Sequence, residues 1–220
     1  DIYIKGSPAE LTSIITAMDI SLQNISEGTE QLAAKLVKYS DTNKGTQYER
    51  IIARLLALRE VLYQASVDLN GMQNEIVAYQ NKIFRYEDMA ELASAPNPHM
   101  VQRINIHVEV SLVQFNLAEM MSVSAELRNY SDAIIYHTQN LLDSKNQAAT
   151  IWLDSQYTIF AQFIDDVCKE IISALKIFDE YILVLLATEH SLEHEIAEKF
   201  RKDLLLIRLC NLLFAHIIQN

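Results

Sequence analysis

Turn formers are scarce in this chain. Its 220 residues include four glycines and three prolines, and from Met100 to Asn220 neither residue occurs. A sheet protein or a nucleotide-binding α/β fold changes direction often and draws on both residues to do so. Their shortage excludes both classes and leaves an all-α fold. Cysteine is nearly missing too: Cys168 and Cys210 stand far apart with no Cys-x-x-Cys, so neither a disulfide framework nor a zinc knuckle is signalled. Positive charge is also short. Against 29 acidic side chains there are 18 basic ones, a net charge of −11, which is the wrong sign for gripping a phosphate backbone or an anionic membrane. Nucleic acid is not expected as a partner. A bilayer-spanning run is lacking as well, because Leu204 to Ile218 is interrupted by Arg208, Asn211 and His216 and falls short of the roughly 20 residues that cross a membrane. Finally, no Lys- or Arg-led apolar leader opens Asp1-Ile2-Tyr3-Ile4-Lys5, so no cleaved signal peptide is expected.

Long apolar periodicities fill the chain instead. Ser7-Pro8-Ala9-Glu10 has the form of a capping box with proline at the first helical position. From it Leu11, Ile15, Met18, Leu22, Ile25, Thr29, Leu32 and Leu36 follow in steps of four and three, a heptad seam with one polar member. The polar run Ser40 to Thr46 breaks it. A second seam then runs Leu55, Leu58, Leu62, Ala65, Leu69, Met72, Ile76, Tyr79, Ile83, Tyr86. Two long helices joined by a short turn fold back as an antiparallel hairpin.

Pro96 and Pro98 cannot continue a helix, so 93–100 reads as an exposed linker. Beyond it Ile104, Ile106 and Val108 alternate with Asn105, His107 and Glu109, an extended start resembling Ile2 and Ile4 at the head of the chain. The third seam is Val110, Val113, Leu117, Met120, Ser124, Leu127, Ser131, Ile134, Thr138, Leu141. A polar run, Asp143-Ser144-Lys145-Asn146, supplies a turn, and the fourth seam follows: Leu153, Tyr157, Phe160, Ile164, Val167, Ile171, Ala174, Phe178, Tyr181, Leu185. The halves share one layout, which predicts tandem hairpins (1–92 and 101–194) burying their seams against each other as an elongated four-helix bundle. The expected helices are about 7–39, 47–91, 108–142 and 150–190. A separate apolar helix over 195–220 completes the expected architecture. It is apolar on most sides, so it either folds back onto the bundle or presents Leu205, Leu209, Leu212 and Phe214 to a partner, a helical protein or a second copy of the chain.

Chemistry is thinly represented. His190-Ser191-Leu192-Glu193-His194 matches the His-x-x-Glu-His zinc pattern, yet the third ligand would have to come from a short, mostly apolar remainder. There is no glycine-rich phosphate loop, no Gly-x-Ser-x-Gly elbow and no Cys–His arrangement suggesting a nucleophile. No enzyme activity, metal or cofactor is expected. Phe84 and Asp88 stand four apart at the end of the second helix, where one helix face carries both; an aromatic off the seam beside a carboxylate suits a docking site.

A hairpin with its turn near residue 43 and an aromatic-xxx-Asp at its end resembles the ESAT-6-like, or Trp-x-Gly, family of bacterial type VII secretion. With Ile2-Tyr3-Ile4-Lys5-Gly6 leading into the capped helix, it is most similar to the targeting factors that accompany LXG-domain toxins of Gram-positive bacteria. The first turn keeps Gly45 without a tryptophan, while the sole Trp152 sits in the other half as Trp152-Leu153-Asp154. The resemblance implies a non-enzymatic targeting factor or chaperone in the bacterial cytoplasm that binds the helical amino-terminal region of an LXG-type toxin. Phe84 and Asp88 would then be export-signal residues facing the secretion machinery. Two other readings stay open on the residues alone: a membrane-acting toxin component using the apolar segment, and a hydrolase built on His190, Glu193 and His194.

Overall fold

The computed structural model describes residues 7–218, with side chains through Leu206. It is all-helical: α1 spans Pro8–Tyr39, α2 Thr46–Tyr86, α3 Leu117–Ile151 and α4 Ser155–Ile218. Every member of the first seam is buried, as is the second seam from Leu55 to Ile83 except the half-buried Met72 and Tyr79. The four helices share one hydrophobic core, and each packs on two neighbours, α1 on α2 and α3, α4 on α2 and α3. Thr29 and Tyr130 join α1 to α3 by a buried hydroxyl pair at 2.7 Å. Lys35 and Glu126 pair farther along, at 2.7 Å. Arg54 lies over the Tyr181 ring between α2 and α4. The two α1–α3 pairs set those helices antiparallel, and Arg54 on Tyr181 together with the Tyr79 hydroxyl on Asp154, just ahead of α4, sets α2 antiparallel to α4.

The connection between the halves is the first departure from the expected layout. The residues of 93–100 are not a free linker. They belong to a strap, residues 87–116, that returns along the whole of α2. The Asn81 amide donates to Ala93 O (2.9 Å) and accepts from its N–H (2.8 Å). Asn70 treats His99 in the same two-way manner. Arg59 donates from Nε to Gln102 O (2.8 Å) and from Nη2 to Val101 O (3.3 Å), and Val101 is buried. Prolines forbid a helix here, but the freed backbone groups still need partners, and side-chain amides on α2 supply them. Ile104, Ile106 and Val108 are half-buried and their alternating neighbours exposed, the expected extended pattern. The strap reaches the α1–α2 turn, where Gly45 N–H donates to Glu109 O (2.8 Å) and Lys44 bridges Gln114. Gly45 has φ +103°, a backbone conformation that residues with a Cβ rarely adopt, so the turn needs glycine. The counterpart residues Ile2 and Ile4 lie outside the described residues.

The strap shifts every later boundary. Val110 and Val113, expected on the third seam, are exposed, and α3 begins only at Leu117, with the Asn116 side chain accepting from Glu119 N–H. Ser7 does precede α1, but the expected capping box does not form, since no side chain caps that end. The polar run at 143–146 stays helical: Ser144 is buried with its hydroxyl on Asn140 O, and Lys145 pairs with Asp165 of α4 at 2.5 Å. The second turn falls instead at Trp152–Asp154, where Asp154 Oδ1 accepts from Gln156 N–H and Trp152 Nε1. Trp152 is buried between the rings of Tyr79 (5.3 Å) and Phe160 (5.5 Å). Leu153, expected on the fourth seam, is half exposed. The two hairpins therefore close at opposite ends of the bundle. α4 does not stop near 190, and no separate helix begins at 195: without glycine or proline to break it, one helix of 64 residues runs through both segments.

Candidate functional site

α4 outruns the helices it packs on. Its core-facing side carries Ile171, Leu175, Phe178, Ile182 and Leu185, all buried against α2 and α3. α2 starts at Thr46 and α3 at Leu117, and the last of their contacts with α4 fall near Glu189 and Leu192. Past that point the same stripe continues through Ile196, Phe200 and Leu204 at helical spacing, exposed to 51%, 65% and 47%. From Glu193 to Leu206 every residue except Glu198 is exposed. The helix from Glu193 to Ile218 is about 39 Å long at 1.5 Å per residue. A stripe suited to two neighbours thus leaves the bundle with none among the described residues.

At the root of this extension lies a cavity of about 410 Å³. The α1–α2 turn and α2 start contribute Lys44, Gly45, Thr46, Gln47, Tyr48 and Arg50, the strap Val113 and Phe115, α3 Leu117 and Met120, and α4 Tyr181, Val184, Leu185, Thr188, Glu189 and Leu192. Most of the lining is apolar. Glu189 is the exception that matters: it is 6% exposed, accepts from the Ser124 hydroxyl on Oε1 at 2.7 Å, and has no hydrogen-bond partner for Oε2. Burial pushes its carboxyl above the usual range, partly offset by the Ser124 hydrogen bond and the nearby His190. The start of α2 beside it has no side-chain cap.

The residues singled out from the sequence are distributed as follows. Leu205 is exposed on the extension; the side chains of Leu209, Leu212 and Phe214 lie outside the described residues. Phe84 is half-buried near the end of α2, and Tyr86, expected on the seam, is 88% exposed. Phe84 and Asp88 do not share a helix face, because α2 ends at Tyr86 and Asp88 turns left-handed at φ +54°. Met89 N–H donates to Phe84 O (3.0 Å) and Asp88 N–H to Arg85 O (3.3 Å), the paired bonds of a Schellman stop with aspartate where glycine is usual. His190 and Glu193 stand 3.7 Å apart on an exposed face. Among the described residues no three His, Cys, Asp or Glu side chains gather closely enough to hold a metal, and no helix is long and apolar enough to cross a membrane.

Sequence reasoning missed Glu189. Its signal was positional: the fourth seam, stopped at Leu185, meets it four residues later. No family model matches the chain, and no curated protein or solved structure matches it either.

Proposed function

We propose that the chain is a non-enzymatic targeting factor or chaperone that binds a helical segment of another protein along the α4 extension. The uncovered continuation of α4's core stripe through Ile196, Phe200 and Leu204 carries this reading. In the bundle that stripe packs on helices, and an exposed apolar surface of this kind marks a partner site. The partner suggested by the family resemblance is the helical amino-terminal region of an LXG-type toxin, which the chain would present for type VII secretion. Phe84 and Asp88 sit at the far end of α2, a 41-residue helix about 60 Å long. An export surface there and a partner on the extension would not compete.

Co-expression with such a toxin region tests it. The wild-type chain is expected to co-purify with the toxin at fixed stoichiometry; Phe200→Glu and Leu205→Asp, both on exposed positions, are expected to lose it while keeping helicity and melting temperature. Equal recovery by wild type and both variants would sink the reading.

A further inference from the structure

The extension's occupant can be specified further, on the premise that the extension binds a helix. Both helices that face α4 inside the bundle, α2 and α3, run antiparallel to it and begin at the cavity. A helix that continues their packing along Ile196, Phe200 and Leu204 runs in the same direction, in line with them, so its C-terminal end arrives at the bundle mouth. There it meets the uncapped start of α2, whose free N–H groups suit the carbonyls of a helix C-terminus. It also meets Glu189.

Glu189 is an acid on an apolar stripe. Leu185 precedes it by four residues and Ile196 follows by seven, so it holds a core position, bonded to Ser124 of α3 and lining the cavity at the start of α2. One oxygen is satisfied by Ser124 and the other is buried without a partner. Among the described residues no lysine or arginine pairs with it, although Lys44 and Arg50 line the same cavity. A buried carboxyl with an open acceptor is destabilising unless a donor reaches it, most effectively a cationic one. The adjoining cavity of about 410 Å³ leaves room for a long side chain to approach. Lysine and arginine are the residues favoured in the last turn of a helix, where they complement its dipole.

We propose that Glu189 receives the cationic side chain of a lysine or arginine in the last turn of an amphipathic partner helix, whose apolar face covers α4 from Leu192 outward. The site thereby selects a partner with an apolar stripe ending in a basic residue, and it fixes the direction in which that partner lies.

Two fluorescent synthetic peptides of about twenty residues, long enough to form a helix on binding, make the test. Both carry a leucine stripe at heptad spacing; one has lysine in its last turn and the other norleucine at that position. Measured by anisotropy against the full chain, the lysine peptide is expected to bind about tenfold more tightly, and Glu189→Gln is expected to remove that difference while leaving the norleucine peptide's affinity and the circular dichroism unchanged. A peptide with its lysine moved to the first turn should bind like the norleucine peptide. Equal affinity of the lysine and norleucine peptides for wild type, or a preference that survives Glu189→Gln, overturns the cation site and leaves the helix-binding reading standing. Failure of both peptides to bind wild type at roughly 100 µM, or unchanged binding to Phe200→Glu, takes down the helix-binding reading and this inference with it.

Discussion

Replacing Asp88 by glycine should make the protein more stable, although it removes a residue that the family resemblance marks for export. Asp88 holds φ +54° as the left-handed residue of the Schellman stop. An L-residue with a Cβ is strained in that region by roughly 1–2 kcal/mol, less for aspartate, whose short polar side chain tolerates it. Its negative charge also sits against the negative end of the α2 dipole, costing about 0.3–1 kcal/mol at an exposed position. Glycine removes both and gives back part of the gain through its larger unfolded-state freedom. The net expectation is a gain of about 0.5–1 kcal/mol, or roughly 2–4 °C per kcal/mol in a chain of this size. Asp88→Asn should recover the charge contribution alone, and Asp88→Ala, which keeps a Cβ without the compensating polar group, should fall below wild type. Thermal melts of the four proteins by circular dichroism give the order Gly, Asn, Asp, Ala. A glycine variant no more stable than wild type would refute the capping argument. The same set separates structure from export: if the carboxylate is read by the secretion machinery, the glycine variant, though more stable, should fail to bring its partner out of the cell.

Three further outcomes follow from the geometry. Glu189→Gln should stabilise the chain near neutral pH and hardly change it in acid: the buried carboxyl titrates above its ordinary value of 4.5, so wild-type stability is full below that pH and declines as pH rises through the folded-state value, whereas melts of the glutamine variant across pH should lack that decline. Arg59→Ala should leave two strap carbonyls, those of Val101 and Gln102, without their donor and destabilise by about 1–3 kcal/mol, with limited proteolysis shifting to cleavage near residue 101 while helicity is kept; an unchanged digestion pattern would mean that the strap is held elsewhere. Phe160→Ala removes a ring that is 1% exposed and stacked on Trp152, and a loss of about 3–5 kcal/mol is expected in denaturant melts, with a loss below about 1 kcal/mol contradicting its place in the core.

Periodicity made the helices legible and said little about their ends. The α1 seam from Leu11 to Leu36 is buried throughout because each member lies on a face with a neighbour. Val110 and Val113 satisfy the same spacing and are exposed, since the bundle has no neighbour to offer them beyond the start of α3. Asp143 to Asn146 looks like a turn by composition, but helices end where the backbone is diverted, and nothing in that run diverts it. The absence of glycine and proline after Met100 carried the better information: it is why α3 runs on to Ile151 and α4 to Ile218, past the ends that their seams suggested. The candidate site was half visible. The apolar residues of the extension announced themselves, while Glu189 is one acid among 29 and acquires meaning only from the helix position it occupies. The relation of Phe84 to Asp88 was misread for a similar reason, because i, i+4 spacing places two residues on one face only while the helix lasts.

The strap also imposes a schedule on synthesis. The first hairpin is complete once Tyr86 has left the ribosome, yet the surfaces that cover its core are on α3 and α4, and the return segment must be made before either begins. At roughly 5–20 residues per second, the interval from Tyr86 to the level of Glu189 is on the order of 5–20 s. Throughout that interval the nascent first half displays a stripe of leucine and isoleucine on each of two helices. Those seconds are when the chain is most exposed to intermolecular pairing with a neighbouring nascent copy, and a ribosome-associated chaperone would find its substrate in the α1–α2 hairpin and release it as α4 closes the core.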